Sequence, residues 1–189
     1  MKNVRSFVPA DGWHVIPAAR FARYTEWINR EGNLCGTYSA AVMLAYWQDW
    51  LDGAVVPDKL HLPKSADGQK LLQLLRMYTQ LHGFSTTPFQ VAWGLRRFFA
   101  HYHIPYTARF AAVGGWQIVK HSVARGEPLI VGLLQWKGSR YGNHWVTCFG
   151  YRNQGKRELL VHDNWGKSAC VIPAAWMNGA VWIVPHFRK

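Results

Sequence analysis

The chain has 189 residues, 49% of them hydrophobic and 15% aromatic, so it can bury one sizeable core and we expect a single domain over residues 1–189. It carries 22 basic and 10 acidic residues, a formal net charge of +12. No apolar run reaches the roughly 18 residues that span a membrane, and the N-terminus lacks the apolar core of a signal peptide. We therefore expect a cytoplasmic protein without membrane association. Three cysteines, an odd and sparse set, exclude a disulfide framework and suit a reducing compartment.

The positive charge favours acidic substrates and permits non-specific contact with polyanions. The basic residues are nevertheless scattered along the chain, and no arginine-rich helix or nucleic-acid motif stands out. Most of this charge is therefore expected on solvated faces.

The first half of the chain is predicted to be helical. Residues 1–28 should form an irregular arm that wraps over the body, with a short helical turn over 18–28. A polar, glycine-bearing loop then leads into a strongly apolar run, which predicts a buried helix from Cys35 to about residue 51. Apolar residues at helical spacing predict two further helices, at 67–81 and from 88 to about 101.

After Pro105 the pattern changes from helices to strands. Strands are predicted at 106–112, 128–136, 144–152, 158–164, 168–172 and 180–184, with one helix over 115–125. The resulting architecture is α+β: a helical half, about residues 18–103, packs on a mostly antiparallel sheet, about residues 105–189, with a cleft where the halves meet.

Cys35 gives the first indication of chemistry, because it lies where the polar loop gives way to the helix. The N–H groups at a helix start favour a thiolate over a thiol. Gly36 leaves room for another chain to approach the sulfur. Asn29, six residues before Cys35, can place its side-chain amide beside the N–H of Cys35 to hold an oxyanion. The alternative is that Cys35 is a small buried hydrophobic residue, as free cysteines usually are.

A cysteine nucleophile requires a base and a group that orients the base. His144 opens one predicted strand and Asp163 ends the next, and a hairpin between them brings these two ends side by side. Asn164 would replace Asp163 as the orienting residue if the turn were shifted by one position. His162 must face the other side of its strand and is expected to be a structural histidine, while Cys148 is expected in the core.

These residues resemble those of papain-like cysteine peptidases, above all the bacterial branch that removes double-glycine leaders from bacteriocins and its stand-alone relatives. The matching motifs are Cys-Gly at 35–36, Gly-Asn-His-Trp-Val at 142–146 and Asp-Asn-Trp-Gly at 163–166. The resemblance implies a papain-like fold and a triad of Cys35, His144 and Asp163, with Asn29 at the oxyanion position. The family usually has glutamine where Asn29 stands, and papain has asparagine where Asp163 stands.

Four residues are predicted to contact the substrate: Gly36, Gly142, Asn143 and Trp165. The loop at 137–142 carries glycines and exposed bases, which suit the rim of a binding cleft. Trp165 is also placed to shield the contact between His144 and Asp163 from water.

The implied activity is cleavage of a peptide or isopeptide bond in a peptide or protein substrate through a thioester acyl-enzyme, without a cofactor. His101 and His103 are spaced as a metal pair, but no carboxylate or cysteine lies near them in the sequence, so no metal site is predicted.

Two alternatives stay open. One is an acyltransferase or amide crosslinker on the same triad, in which an amine instead of water resolves the acyl-enzyme. The other is a non-catalytic module that binds polyanions or peptides through its basic, tryptophan-rich surface.

Overall fold

The computed structural model describes residues 12–57, 60, 68–80 and 85–186. Residues 1–11 of the predicted arm at 1–28 and both predicted ends of the second helix, residues 67 and 81, lie outside these ranges. No helix in the described ranges is long and apolar enough to cross a membrane.

The helices of the first half begin and end close to the predicted positions. The described α-helices are α1 (Cys35–Trp50), α2 (Gly68–Thr79), α3 (Pro88–His101) and α4 (Trp116–Ala124). Helix α3 begins with a capping box, in which the Thr87 hydroxyl accepts from the Gln90 N–H and the Gln90 side chain accepts from the Thr87 N–H. Pro88 fits the first position of this helix because its missing N–H needs no partner there.

The described strands form one antiparallel sheet. They are β1 (Trp13–Val15), β2 (Tyr106–Ala111), β3 (Leu129–Leu133), β4 (His144–Arg152), β5 (Glu158–His162), β6 (Cys170–Pro173) and β7 (Met177–Pro185). Their order is β2-β7-β3-β4-β5-β6, and β1 pairs with β4. Helices packed on an antiparallel sheet confirm the α+β prediction.

One strand was not predicted, and several others begin or end elsewhere than predicted. Strand β3 ends at Leu133 instead of residue 136, because Gln135–Lys137 form a short 3-10 helix; β5 ends at His162 instead of residue 164, and β6 begins at Cys170 instead of residue 168. Strand β1 was not predicted, because three residues are too few for alternation to be recognised. Strand β7 begins at Met177, three residues earlier than predicted, since Gly179 adopts a φ of 81° and the strand passes it through an irregularity in its pairing with β3.

Helix α1 packs on the sheet and also contacts α2 and α3. All of its residues from Cys35 to Gln48 are buried, which explains why the run is apolar on every side instead of along one stripe. It packs on β4, where the Thr147 hydroxyl donates to the Ser39 carbonyl at 3.1 Å. The start of α1 is therefore fixed against the start of β4.

A short 3-10 helix, Ala18–Tyr24, precedes α1 and contributes Phe21 to the core. Phe21 is fully buried, and its ring stacks on Phe149 of β4 at 3.9 Å and on Tyr46 of α1 at 4.8 Å between centroids. The ring thus joins the N-terminal segment, the central helix and the sheet.

Phe21→Ala is expected to lower the free energy of unfolding by about 3–5 kcal/mol, because it leaves a cavity between α1 and β4. Urea denaturation followed by tryptophan fluorescence measures the change. Phe89→Ala is the matched control, since the Phe89 side chain is 54% exposed. Equal losses in the two variants would contradict the central position of Phe21.

Candidate active site

Cys35 is the first residue of α1, and only 6% of it is exposed. Burial raises the pKa of the Cys35 thiol, and the main-chain N–H groups of Trp145, Gly36 and Cys35 lower it by less. The N–H groups at the helix start thus lower the pKa of the thiol, as predicted, but burial raises it by more.

His144 opens β4 and is 5% exposed. Its Nε2 lies 2.8 Å from the main-chain carbonyl oxygen of Asp163. A carbonyl can only accept, so Nε2 carries the proton of the neutral ring and Nδ1 keeps its lone pair. Burial lowers the pKa of His144, and the hydrogen bond and charge of Asp163 raise it by less. The His144 ring is therefore held neutral, and Nδ1 is its basic atom.

The carboxylate of Asp163 does not make the contact with His144 that the sequence prediction gave it. Its Oδ1 accepts from the N–H groups of Trp165 at 2.8 Å and Lys167 at 3.0 Å, and its Oδ2 accepts from the Tyr141 hydroxyl at 3.2 Å. The carboxylate thus closes the turn after β5, and the main-chain carbonyl of the same residue takes the imidazole.

Asn164 does not replace Asp163 as an orienting residue. It is fully buried with a φ of 59°, a conformation that asparagine tolerates better than most residues. Its Nδ2 donates to the Ser39 hydroxyl at 2.8 Å and to the Trp145 carbonyl at 3.0 Å, and lies 3.5 Å from the Cys35 carbonyl. Asn164 therefore joins the start of α1 to the start of β4.

His162 and Cys148 are core residues, as predicted. His162 is fully buried; its Nε2 donates to the Tyr24 carbonyl at 2.8 Å, and its Nδ1 accepts from the Asn164 N–H at 3.3 Å. Burial lowers the pKa of His162 and raises the pKa of Cys148 to about 12. Both side chains are thereby kept neutral.

Asn29 lies beside the turn that carries Asp163, because its main-chain N–H donates to the Asn164 carbonyl at 2.8 Å. Its Oδ1 accepts from the Glu31 N–H at 3.3 Å. Its Nδ2 makes no hydrogen bond to the described residues. The amide donor is thus the end of the side chain that remains available to a ligand.

Gly36 is buried against Thr86, and a Cβ atom at Gly36 would overlap the Thr86 hydroxyl and approach Val91 to 3.2 Å. The prediction that Gly36 leaves room for another chain beside the sulfur is therefore wrong, because the protein itself fills that space. The glycine allows the loop before α3 to pack on the start of α1.

The other three predicted substrate contacts lie in two loops beside His144. Gly142 has a φ of 69° and open space on its Cβ side, and the Asn143 carboxamide oxygen accepts from the Gln135 N–H at 3.0 Å. The Trp165 ring is 50% exposed and lies 4.6 Å from the His144 ring, so it covers one side of the imidazole.

Tyr141 was missed by the sequence analysis. Its ring stacks on His144 at 5.5 Å with an interplanar angle of 12°, and its hydroxyl contacts both the Asp163 carboxylate and Cys170 Sγ, each at 3.2 Å. It lies in the loop at 137–142, which was predicted only as a rim. A single tyrosine in a loop bounded by Gly138 and Gly142 gives no sequence signal that its side chain faces inward.

Helices packed on an antiparallel sheet, with a cysteine at a helix start and a histidine at the start of the facing strand, define a papain-like cysteine peptidase fold. This assignment has support beyond the geometry. The Peptidase_C39 like family matches residues 18–180, and the chain belongs to this family. Membership supports a function of the cysteine-peptidase type.

Comparison with curated proteins gives no significant match. Within the described ranges, no group of three or more His, Cys, Asp or Glu side chains is placed to hold a metal ion.

The buried histidines predict an acid-sensitive fold. Their folded-state pKa lies below the ordinary value of 6.5, so the unfolded chain binds more protons as the pH falls below that value. The free energy of unfolding should therefore be highest above pH 6.5 and decrease below it, by up to about 1.4 kcal/mol per pH unit for each histidine. Urea denaturation between pH 5 and 7.5 measures this slope.

His162→Gln should reduce the slope by about one proton's contribution, because glutamine can still donate to the Tyr24 carbonyl but does not titrate. His186→Gln, which removes an exposed histidine, is the control. A slope that is unchanged in His162→Gln would show that the buried ring is not its source.

Proposed function

We propose that the chain is a thiol-dependent peptidase or amide hydrolase, with Cys35 as nucleophile and His144 as base. One observation carries this proposal: Asn164 Nδ2 donates to the carbonyl of Trp145, the residue after His144, at 3.0 Å and lies 3.5 Å from the Cys35 carbonyl, so the helix start that carries Cys35 meets the strand start that carries His144. The Asp163 carbonyl fixes Nε2–H of His144, and Nδ1 is left as a base. A cysteine with a purely structural role would not require a histidine held in this way.

The resting pair is neutral instead of a thiolate and an imidazolium. The shifts at Cys35 and His144 both result mainly from burial, which disfavours each charged form. Proton transfer from sulfur to Nδ1 therefore accompanies attack on the substrate. Because the pKa of His144 is lowered, its base form persists to pH values below 6.5.

Asp163 and Tyr141 are proposed to hold the imidazole in place without exchanging a proton. The Asp163 carbonyl fixes Nε2–H, and the stacked Tyr141 ring limits rotation of His144. The Tyr141 hydroxyl and two main-chain N–H groups fix the Asp163 carboxylate, and this keeps the Asp163 carbonyl in position.

The reaction follows in two stages. The Cys35 proton passes to Nδ1 of His144 as the sulfur bonds to the substrate carbonyl carbon; the carbon–nitrogen bond then breaks, and the amine leaves with that proton. Water next attacks the thioester and gives a proton to Nδ1. The carbon–sulfur bond breaks, the acid leaves, and the proton returns to the sulfur.

The oxyanion formed in each stage is proposed to accept from the Cys35 N–H and from Asn29 Nδ2. The side-chain nitrogen Nδ2 of Asn29 makes no hydrogen bond to the described residues, and the Asn29 main chain is tied to the turn beside the site. Preorganised donors of this kind stabilise the transition state more than the ground state.

Cys35→Ala and His144→Gln are each expected to lower cleavage by at least about 10³-fold, because each removes a partner in the proton transfer. A pooled peptide library incubated with the protein and analysed by mass spectrometry for new termini measures the rate. Circular dichroism checks that each variant folds.

Cys148→Ala is the matched control, because it removes a buried thiol from β4 that lies outside the proposed chemistry. It should retain cleavage. Full activity in Cys35→Ala would reject the proposal, and equal loss in Cys35→Ala and Cys148→Ala would attribute the effect to the fold.

Asn29→Ala should reduce kcat by about 10²-fold with little change in KM, because it removes one oxyanion donor. Asn29→Gln keeps a carboxamide and should retain much of the activity. Steady-state kinetics on one cleaved peptide separates kcat from KM. The main-chain bond to Asn164 survives both substitutions, so an equal melting temperature is the control; an unchanged kcat in Asn29→Ala would exclude this donor.

A further inference from the structure

A cleft of about 420 Å³ lies directly beside the Tyr141 and Trp165 rings that flank His144. Both rings line it, together with Trp176 and Cys170. Arg140 and Lys167 line it from two different loops. We call this space the Trp176 cleft.

The two cations of the Trp176 cleft are not neutralised by the described part of the chain. Arg140 and Lys167 are exposed, and neither forms an ion pair or a side-chain hydrogen bond with a described residue. Arg140 and Lys167 therefore bring two unpaired positive charges to one cleft.

The one carboxylate in the Trp176 cleft belongs to Asp163, and its own loops already provide it with donors. Two main-chain N–H groups and the Tyr141 hydroxyl occupy its oxygens. Neither Arg140 nor Lys167 donates to it through a side chain. Two cations against one hydrogen-bonded carboxylate leave the cleft with a positive balance.

The aromatic rings of the cleft can contact the methylene groups of a glutamate or aspartate side chain. Trp165 is half exposed, and the Tyr141 and Trp176 rings lie 6.5 Å apart. Flat rings can pack on the methylene groups of a side chain whose carboxylate reaches the cations.

The distances place this subsite close to the proposed chemistry. The Tyr141 ring is 5.5 Å from the His144 ring and 6.5 Å from the Trp176 ring. An extended peptide advances about 3.3–3.6 Å per residue, so the Trp176 cleft is reached within about four residues of the scissile bond.

We propose that the Trp176 cleft binds a glutamate or aspartate side chain of the peptide substrate, within about four residues of the scissile bond. Arg140 and Lys167 hold the carboxylate, and the aromatic rings contact the methylene groups. This inference rests on the proposed peptidase function, since it assigns a specificity to the same site.

The test uses matched peptides in which each position flanking a cleaved bond carries glutamate or its neutral isostere glutamine. The wild-type protein should cleave the glutamate peptide with a kcat/KM about 3- to 10-fold higher at one of these positions, as expected for a carboxylate near two partly exposed cations. Arg140→Gln combined with Lys167→Gln should bring this ratio close to 1.

The control is Arg109→Gln combined with Lys120→Gln, which removes the same charge from β2 and α4. This variant should keep the ratio, because its charges lie outside the Trp176 cleft. A ratio that survives Arg140→Gln with Lys167→Gln, or that both double variants abolish equally, would overturn the assignment to this cleft.

The two proposals fail in different ways. Cys35-dependent cleavage with no preference for glutamate at any position would overturn the acidic subsite and leave the peptidase function standing. Absence of Cys35-dependent cleavage would overturn the peptidase function, and the acidic subsite with it.

Discussion

The carboxamide of Asn164 is the contact on which the arrangement of the site depends. Its Nδ2 donates to Ser39 of α1 and to the Trp145 carbonyl of β4, so one buried side chain ties together the two elements that carry Cys35 and His144. A buried amide that lost these partners would cost about 1–3 kcal/mol for each unsatisfied group. The cysteine and the histidine can therefore separate only by breaking a buried hydrogen-bond network.

The burial that accompanies the packing of α1 on β4 also determines the protonation of Cys35 and His144. A helix start favours a negative charge by about 0.3–1 kcal/mol at an exposed position. At Cys35 burial raises the pKa of the thiol by more than nearby N–H groups lower it, and at His144 burial lowers the pKa by more than the hydrogen bond and charge of Asp163 raise it. Burial therefore favours the neutral thiol and the neutral imidazole.

Much of the architecture followed from patterns that are local in sequence. The apolar run after Cys35 predicted α1 because a helix buried on all sides has no polar stripe, and strand β4 was predicted at the bounds it has in the structure. The hairpin between β4 and β5 then placed His144 beside Asp163. These predictions depended on periodicity and turn chemistry alone.

Contacts between distant segments were out of reach of such reasoning. Whether Asp163 meets His144 through its carboxylate or its carbonyl depends on the turn that follows, where Asn164 adopts a positive φ and the carboxylate is drawn to the Trp165 and Lys167 N–H groups. The space beside Gly36 is filled by Thr86, some fifty positions later in the chain. The spacing of residues in the sequence predicts neither the contact between Asp163 and His144 nor that between Gly36 and Thr86.

Asp163 has two sides with separate environments, and this joins the proposed chemistry to the proposed recognition. Its main-chain carbonyl faces His144, while its carboxylate faces the Trp176 cleft and accepts from Tyr141. Tyr141 itself stacks on His144. A negative charge entering the cleft therefore acts on the Asp163 carboxylate by repulsion and on Arg140 and Lys167 by attraction, while the three donors to the carboxylate resist its displacement. In the proposed complex, the contacts that fix Asp163 thus keep the His144 imidazole in place while the acidic residue binds.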